Sequence, residues 1–164
     1  MVIEAEVGAR KEMSFIQYLK YWIPVLFWMI FIFWMSTGTF SEKNSASTVE
    51  SILRFLIPAI LPGMIDVMQW ALRKLGHVAE YVVLGYLLFR AFRGASKESR
   101  IPRWTFSSFL VLVFYAASDE LHQSFVPART ASVYDVGIDI LGGIIALVLS
   151  ALLHLPRSKK IATE

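Results

Sequence analysis

The sequence predicts an all-α fold: a polytopic membrane protein built as a four-helix transmembrane bundle, with a partly helical external connection between the first and second spans. Three observations predict it. Hydrophobic residues make up 56% of the 164 and charged residues 18%, against roughly 45–50% and 25% in soluble domains, and mean hydropathy is +0.56. The apolar residues gather into four runs of near-spanning length. The basic residues gather between those runs, densely in alternate connections. The same composition excludes a soluble globule, a disordered chain, collagen and a coiled coil. Without cysteine, neither a disulfide framework nor a thiolate metal site is available. One domain, residues 1–164, is expected at this length.

The first span, about 21–37, opens with Tyr21 to Met35 (YWIPVLFWMIFIFWM) and carries no ionisable side chain beyond the Tyr21 phenol. It begins late, is rich in aromatics and is followed by a poor cleavage site at Ser36 to Phe40, so it reads as a mature anchor and not a signal peptide. Its Trp and Phe residues are expected to face lipid or the interface. The connection Gly38 to Gly76 is half apolar and punctuated by Pro58 and Pro62. Ser47 and Glu50 have capping-box spacing, which predicts a short helix from about Thr48 toward Pro58. Ile65 to Leu75 reads as a second helix, lying on the membrane surface before it feeds the second span at about 76–92. The third and fourth spans are placed at about 104–120 and 133–155, and residues 156–164 form a basic tail. In the fourth, Gly142, Ala146 and Ser150 repeat at four-residue spacing, a stripe for close helix packing within the bundle or for a homo-oligomer face.

Orientation follows from the cations. Arg10, Lys11 and Lys20 flank the first span, Arg90, Arg93, Lys97, Arg100 and Arg103 fill the second connection, and Arg157, Lys159 and Lys160 close the chain, eleven of the 16 Lys and Arg. The other side holds Lys43, Arg54, Arg73, Lys74 and Arg129. The bias predicts both termini in the cytoplasm. It also accounts for the net charge of +3 without nucleic acid, which would want one continuous basic face.

Charged side chains inside a span cost roughly 2.5–3.5 kcal/mol each on insertion scales, so a group of them at one end calls for a reason. Lys74, His77, Glu80 and Tyr81 share a broad face at the start of the second span. Asp119, Glu120, His122 and Gln123 end the third. Asp135 and Asp139 open the fourth, just after Arg129. By the predicted topology all three sets converge on one external cavity. Ion pairing that glues the bundle would explain one or two of these residues, and the group is larger than that.

In this order, Lys74-x-x-His77-x-x-Glu80-Tyr81, then Asp119-Glu120-x-x-Gln123-x-Phe125-x-Pro127-x-Arg129, then Asp135, Asp139 and Gly142 resemble the VanZ-like family of small integral membrane proteins. The first span, ending FWMIFIFWMS at Ser36, is similar to that family's opening segment, and the resemblance runs from about Trp22 to Leu153. Ala128 stands where the family often has Gly, and Asp139 where it often has Asn. The resemblance implies a protein of the bacterial plasma membrane, of the type associated with resistance to the glycopeptide teicoplanin. It implies no established reaction.

The residues themselves suggest roles. A histidine oriented by a carboxylate suits general acid/base work, which makes His77, Glu80 and an acid of Asp119 or Glu120 the catalytic candidates if chemistry occurs. Adjacent residues on a helix point about 100° apart, so Asp119 and Glu120 are not expected to share a proton, and the sequence leaves open which faces the cavity. Lys74, Tyr81, Gln123, Arg129, Asp135 and Asp139 are the substrate-binding candidates, with Arg129 suited to a phosphate or carboxylate. His122 reads as a surface histidine. A divalent metal on His77, Glu80, Asp119 or Glu120 and His122 is conceivable but disfavoured by the lack of a paired-ligand helix, and no cofactor is specified. The expected partners are membrane lipids and a lipid-linked cell-wall precursor or a glycopeptide. A non-catalytic binder, a small transporter and a structural subunit of an envelope complex are the rival readings.

Overall fold

The computed structural model describes residues 15–37, 42–94, 100–127, 129 and 131–155. Arg10, Lys11, Lys97, Arg157, Lys159 and Lys160 of the charge count, the tail 156–164, and Ala128 lie outside the described residues. The described residues form five helices joined by short turns and loops, with no strand among them: α1 (Phe15–Met35), α2 (Glu42–Leu56), α3 (Pro62–Gly94), α4 (Ile101–Ser124) and α5 (Val133–Leu153).

Three of these are long and apolar enough to cross a membrane: α1 over Tyr18–Met35, α3 and α5. The expected third span lies within α4, whose 24 residues would reach about 36 Å at 1.5 Å per residue. Its apolar stretch is bounded by Arg103, Thr105 and two serines at one end and by Asp119, Glu120, His122 and Gln123 at the other, and it is not among the three.

Two boundaries differ from expectation. The helix expected to start near Thr48 starts at Glu42, so Ser47 and Glu50 are interior residues and not a cap. There Ser51 Oγ donates to the Ser47 carbonyl at 2.8 Å and Glu50 pairs with Arg54 one turn on, also at 2.8 Å. The surface helix expected before the second span and the span itself are one 33-residue helix, α3. Gly76 does not break it, because a helix interior absorbs one glycine at a cost of about 1 kcal/mol.

α3 is the hub and packs against each of the other four helices, while α4 also packs on α5. The central core joins Val25 and Ile32 of α1 to Tyr81, Leu84, Leu88 and Ala91 of α3 and to Leu112 and Ala116 of α4. α1 is tied sideways by two backbone carbonyls: Trp28 Nε1 donates to Glu80 O at 2.8 Å, and the Tyr115 hydroxyl to Met29 O at 2.5 Å. Trp28 therefore faces the bundle, whereas Phe27, Phe33 and Trp34 keep the exposed position expected of the first span's aromatics. α2 sits on the amino-terminal turns of α3 through Leu53, Ile60 and Ile65, and its outer face leaves Ile52, Phe55 and Leu56 exposed.

The stripe Gly142, Ala146, Ser150 is buried inside the chain. A Cβ on Gly142 would stand 2.7 Å from the carbonyl oxygen of Val78, and one on Gly85 would stand 2.8 Å from that of Gly143. Small residues thus bring α3 and α5 to backbone contact. This crossing, with the carboxyl ends of α1 and α4 beside it, positions the polar side chains at one end of the bundle.

Candidate functional site

The carboxyl end of α1, the middle of α3, α2 and the loop before α5 enclose a cleft of about 260 Å³. Its wall includes Ser36 of α1, Gln69, Arg73, His77 and Glu80 of α3, and Arg129, with Ala46 and Val49 of α2 covering one side. Gln69, Arg73, His77 and Glu80 follow one another at steps of four, four and three residues, which sets them on one helix face. α2 is held over that face by Gln69 Nε2, which donates to Ala46 O at 3.1 Å.

His77 is buried and its Nδ1 lies 3.1 Å from Asp139 Oδ1, with Asp139 itself wholly buried. A carboxylate only accepts, so Nδ1 carries the proton and Nε2 is left as the ring atom available to the cleft. Neighbouring Lys74 points about 100° away from Arg73 and meets α5 instead. There its ammonium pairs with Asp135 Oδ1, in the first turn of α5, where the helix dipole also favours a carboxylate. Ser132 caps that helix, its Oγ accepting from Tyr134 N at 3.2 Å, and the Ser132 N–H donates to Glu120 Oε1. Glu120 is thereby occupied in shaping the loop.

Asp119 accepts through Oδ2 from Ser36 Oγ at 2.9 Å and from Gln123 Nε2 at 3.1 Å, so it ties α4 to the end of α1. Gln123 Nε2 also reaches Ser36 Oγ at 3.2 Å, while its Oε1 accepts from Arg129 at 3.4 Å. The other guanidinium arm of Arg129 donates to Met35 O at 2.5 Å. Burial, and next the like charge of Arg73, pull Arg129 below its ordinary value, while Asp119, Glu80 and Glu120 act in the opposite direction. Two guanidiniums therefore share the cleft. Tyr81 is fully buried, and its hydroxyl, Asp119 Oδ1 and Asp139 Oδ2 have no hydrogen-bond partner among the described residues.

The structure thus brings His77, Glu80 and Arg129 to the cleft wall. It sets Asp139 directly behind His77, and it places Lys74 with Asp135, Asp119 with Gln123, and Glu120 with the loop backbone. His122 is half-buried and stacks on Phe33, ring centroids 4.1 Å apart. Among the described residues no three His, Asp or Glu side chains are grouped to hold a metal ion. Arg73 and Gln69 were missed as site residues. The signal is the i, i+4, i+8 spacing that links them to His77, which the count of Arg73 among the membrane-flanking charges hides.

Searches of curated proteins and of solved structures found no match. A family match covers residues 21–154, from the second turn of α1 to the end of α5, and includes every site residue named above. With three helices apolar enough to cross a bilayer, this is a membrane protein of the bacterial cell envelope. The chain belongs to the VanZ/LLP1 family.

Proposed function

We propose that this protein lies in the bacterial plasma membrane with four crossings, α4 being the third, and with both termini in the cytoplasm. On that reading the Arg73–Arg129 cleft opens outward and binds an anionic cell-envelope ligand, the phosphate of a lipid-linked precursor or the carboxylate end of its peptide. The single observation that carries the reading is the pair of guanidiniums sharing one cleft with His77. Bidentate recognition of a planar or tetrahedral anion is what such an arrangement does well. Beside that anion His77, protonated at Nδ1 by its pairing with Asp139, offers Nε2 to take a proton from a ligand hydroxyl or return one. Capture of such a ligand at the outer surface is the proposed basis of protection against teicoplanin, which acts on the same molecules.

The test is growth of a susceptible Gram-positive host in teicoplanin and in vancomycin, expressing wild type, Arg73→Gln, Arg129→Ala, His77→Gln or Glu80→Gln, with membrane levels matched. Protection by the wild type that is lost in both arginine variants supports an anion site. Loss in His77→Gln as well assigns chemistry to the imidazole, while its retention leaves a binder. Full protection by every inserted variant, or none by the wild type, refutes the proposal.

A further inference from the structure

The far end of the bundle carries a second cleft, larger than the first at about 530 Å³ and lined by Lys20, Tyr21, Arg90, Arg93 and His154 among others. Three helices build it: the start of α1, the last turns of α3 and the carboxyl end of α5. No carboxylate of the described residues lines it. Its two guanidiniums are nonetheless held in place. His154 Nδ1 donates to the Ser150 carbonyl at 2.7 Å, which leaves Nε2 as an acceptor, and Arg93 donates to that nitrogen at 2.7 Å. The Arg90 guanidinium lies over the Tyr21 ring, 5.4 Å from its centroid. Tyr21 in turn rests on Gly94, where a Cβ would fall 2.5 Å from the ring. Both guanidiniums are therefore oriented by neutral groups, an imidazole and a phenol, and keep their full charge for something else.

A buried ion pair in the same place would have neutralised them. Two oriented guanidiniums without a carboxylate in the lining suit bidentate capture of a phosphate. The cleft also sits where α1 and α3 reach the ends of their apolar stretches, Tyr18 and Gly94, with Leu19, Leu153 and Leu155 exposed nearby. That is the depth of a lipid headgroup, with apolar helix faces alongside for acyl chains.

We infer that this basic cleft binds a phosphate group, with an anionic phospholipid headgroup as its source. The inference rests on the membrane placement of the helices and not on any ligand at the His77 cleft.

The protein is reconstituted in nanodiscs of phosphatidylcholine alone or with phosphatidylglycerol or phosphatidic acid, and retained lipid is counted by native mass spectrometry. Wild type is expected to hold anionic lipid and not phosphatidylcholine, and Arg90→Gln with Arg93→Gln to lose about thirtyfold in retention. Arg103→Gln, at the same end but outside the cleft, is expected to match wild type. His154→Gln, a milder change that frees Arg93, is expected to weaken retention severalfold and covers the case of a double variant that fails to fold. Titration of the wild type with inorganic phosphate distinguishes the sources: displacement of lipid by millimolar phosphate assigns recognition to the phosphate group alone, and binding of phosphate without lipid makes the free ion the ligand. Equal retention of phosphatidylcholine and anionic lipid with no phosphate binding, or undiminished retention in folded double and His154 variants, overturns the inference.

Discussion

Gly142→Ala isolates the contact on which the His77 side of the cleft depends. The added Cβ would stand 2.7 Å from Val78 O and 3.2 Å from Val78 Cα. Both neighbours are backbone, so no side chain can turn aside, and α5 must retreat from α3 by about 0.5 Å to restore ordinary contact. His77 precedes Val78, and Asp139 lies one turn before Gly142, so the retreat stretches the 3.1 Å contact between Nδ1 and Oδ1 toward about 3.6 Å, beyond a hydrogen bond. Overpacking costs about 1–3 kcal/mol, from which helix propensity returns up to about 1 kcal/mol. Gly137→Ala on the same helix is the control, because nothing lies within 4 Å of its added Cβ; it is expected to stabilise by up to about 1 kcal/mol. Equilibrium unfolding in detergent should separate the two variants by about 1–3 kcal/mol. The ¹⁵N resonances of His77 should shift in Gly142→Ala alone. Equal stabilities, or an unshifted His77, would refute the argument.

Two other perturbations address the remaining polar groups. Lys74→Met leaves Asp135 without its cation in a largely buried position, and a loss of about 1–3 kcal/mol is expected; Lys74→Met with Asp135→Asn should recover most of it in an unfolding cycle, and no recovery would show that the pair is uncoupled. Ser36→Ala and Asp119→Asn each weaken the join between α1 and α4 by about 1 kcal/mol, and their combined effect in the same unfolding experiment should fall short of additive because they share one hydrogen bond.

The three polar sets and the helices that carry them were legible because charge in an apolar run is conspicuous, and because side chains three and four apart must share a face. Which of two adjacent residues faced which neighbour was not legible. Arg73 and Lys74 are one residue apart and chemically alike, yet one lines the cleft and the other meets Asp135; that choice depends on the rotation of α3, which is set by Gly85 and Gly142 at the crossing with α5. Asp119 and Glu120 divided in the same way, one turned to Ser36 and the other to the Ser132 backbone. The start of α2 was displaced because Ser47 and Glu50 carry a capping pattern that also fits a helix interior. The far cleft escaped because its cations served a topology rule, and nothing local in the sequence says that Arg93 will meet a histidine 61 positions later.

That separation recurs across the bundle and bears on how the chain is made. Lys74 waits 61 residues for Asp135, and His77 waits 62 for Asp139. At about 5–20 residues per second of synthesis, this leaves the cation of α3 without its counter-ion for roughly 3–12 s after it emerges. Ser36 is separated from Asp119 by 83 residues. The helix that organises the fold is thus completed before Lys74 and His77 have their carboxylate partners, and the bundle closes only when the last helix arrives to supply them.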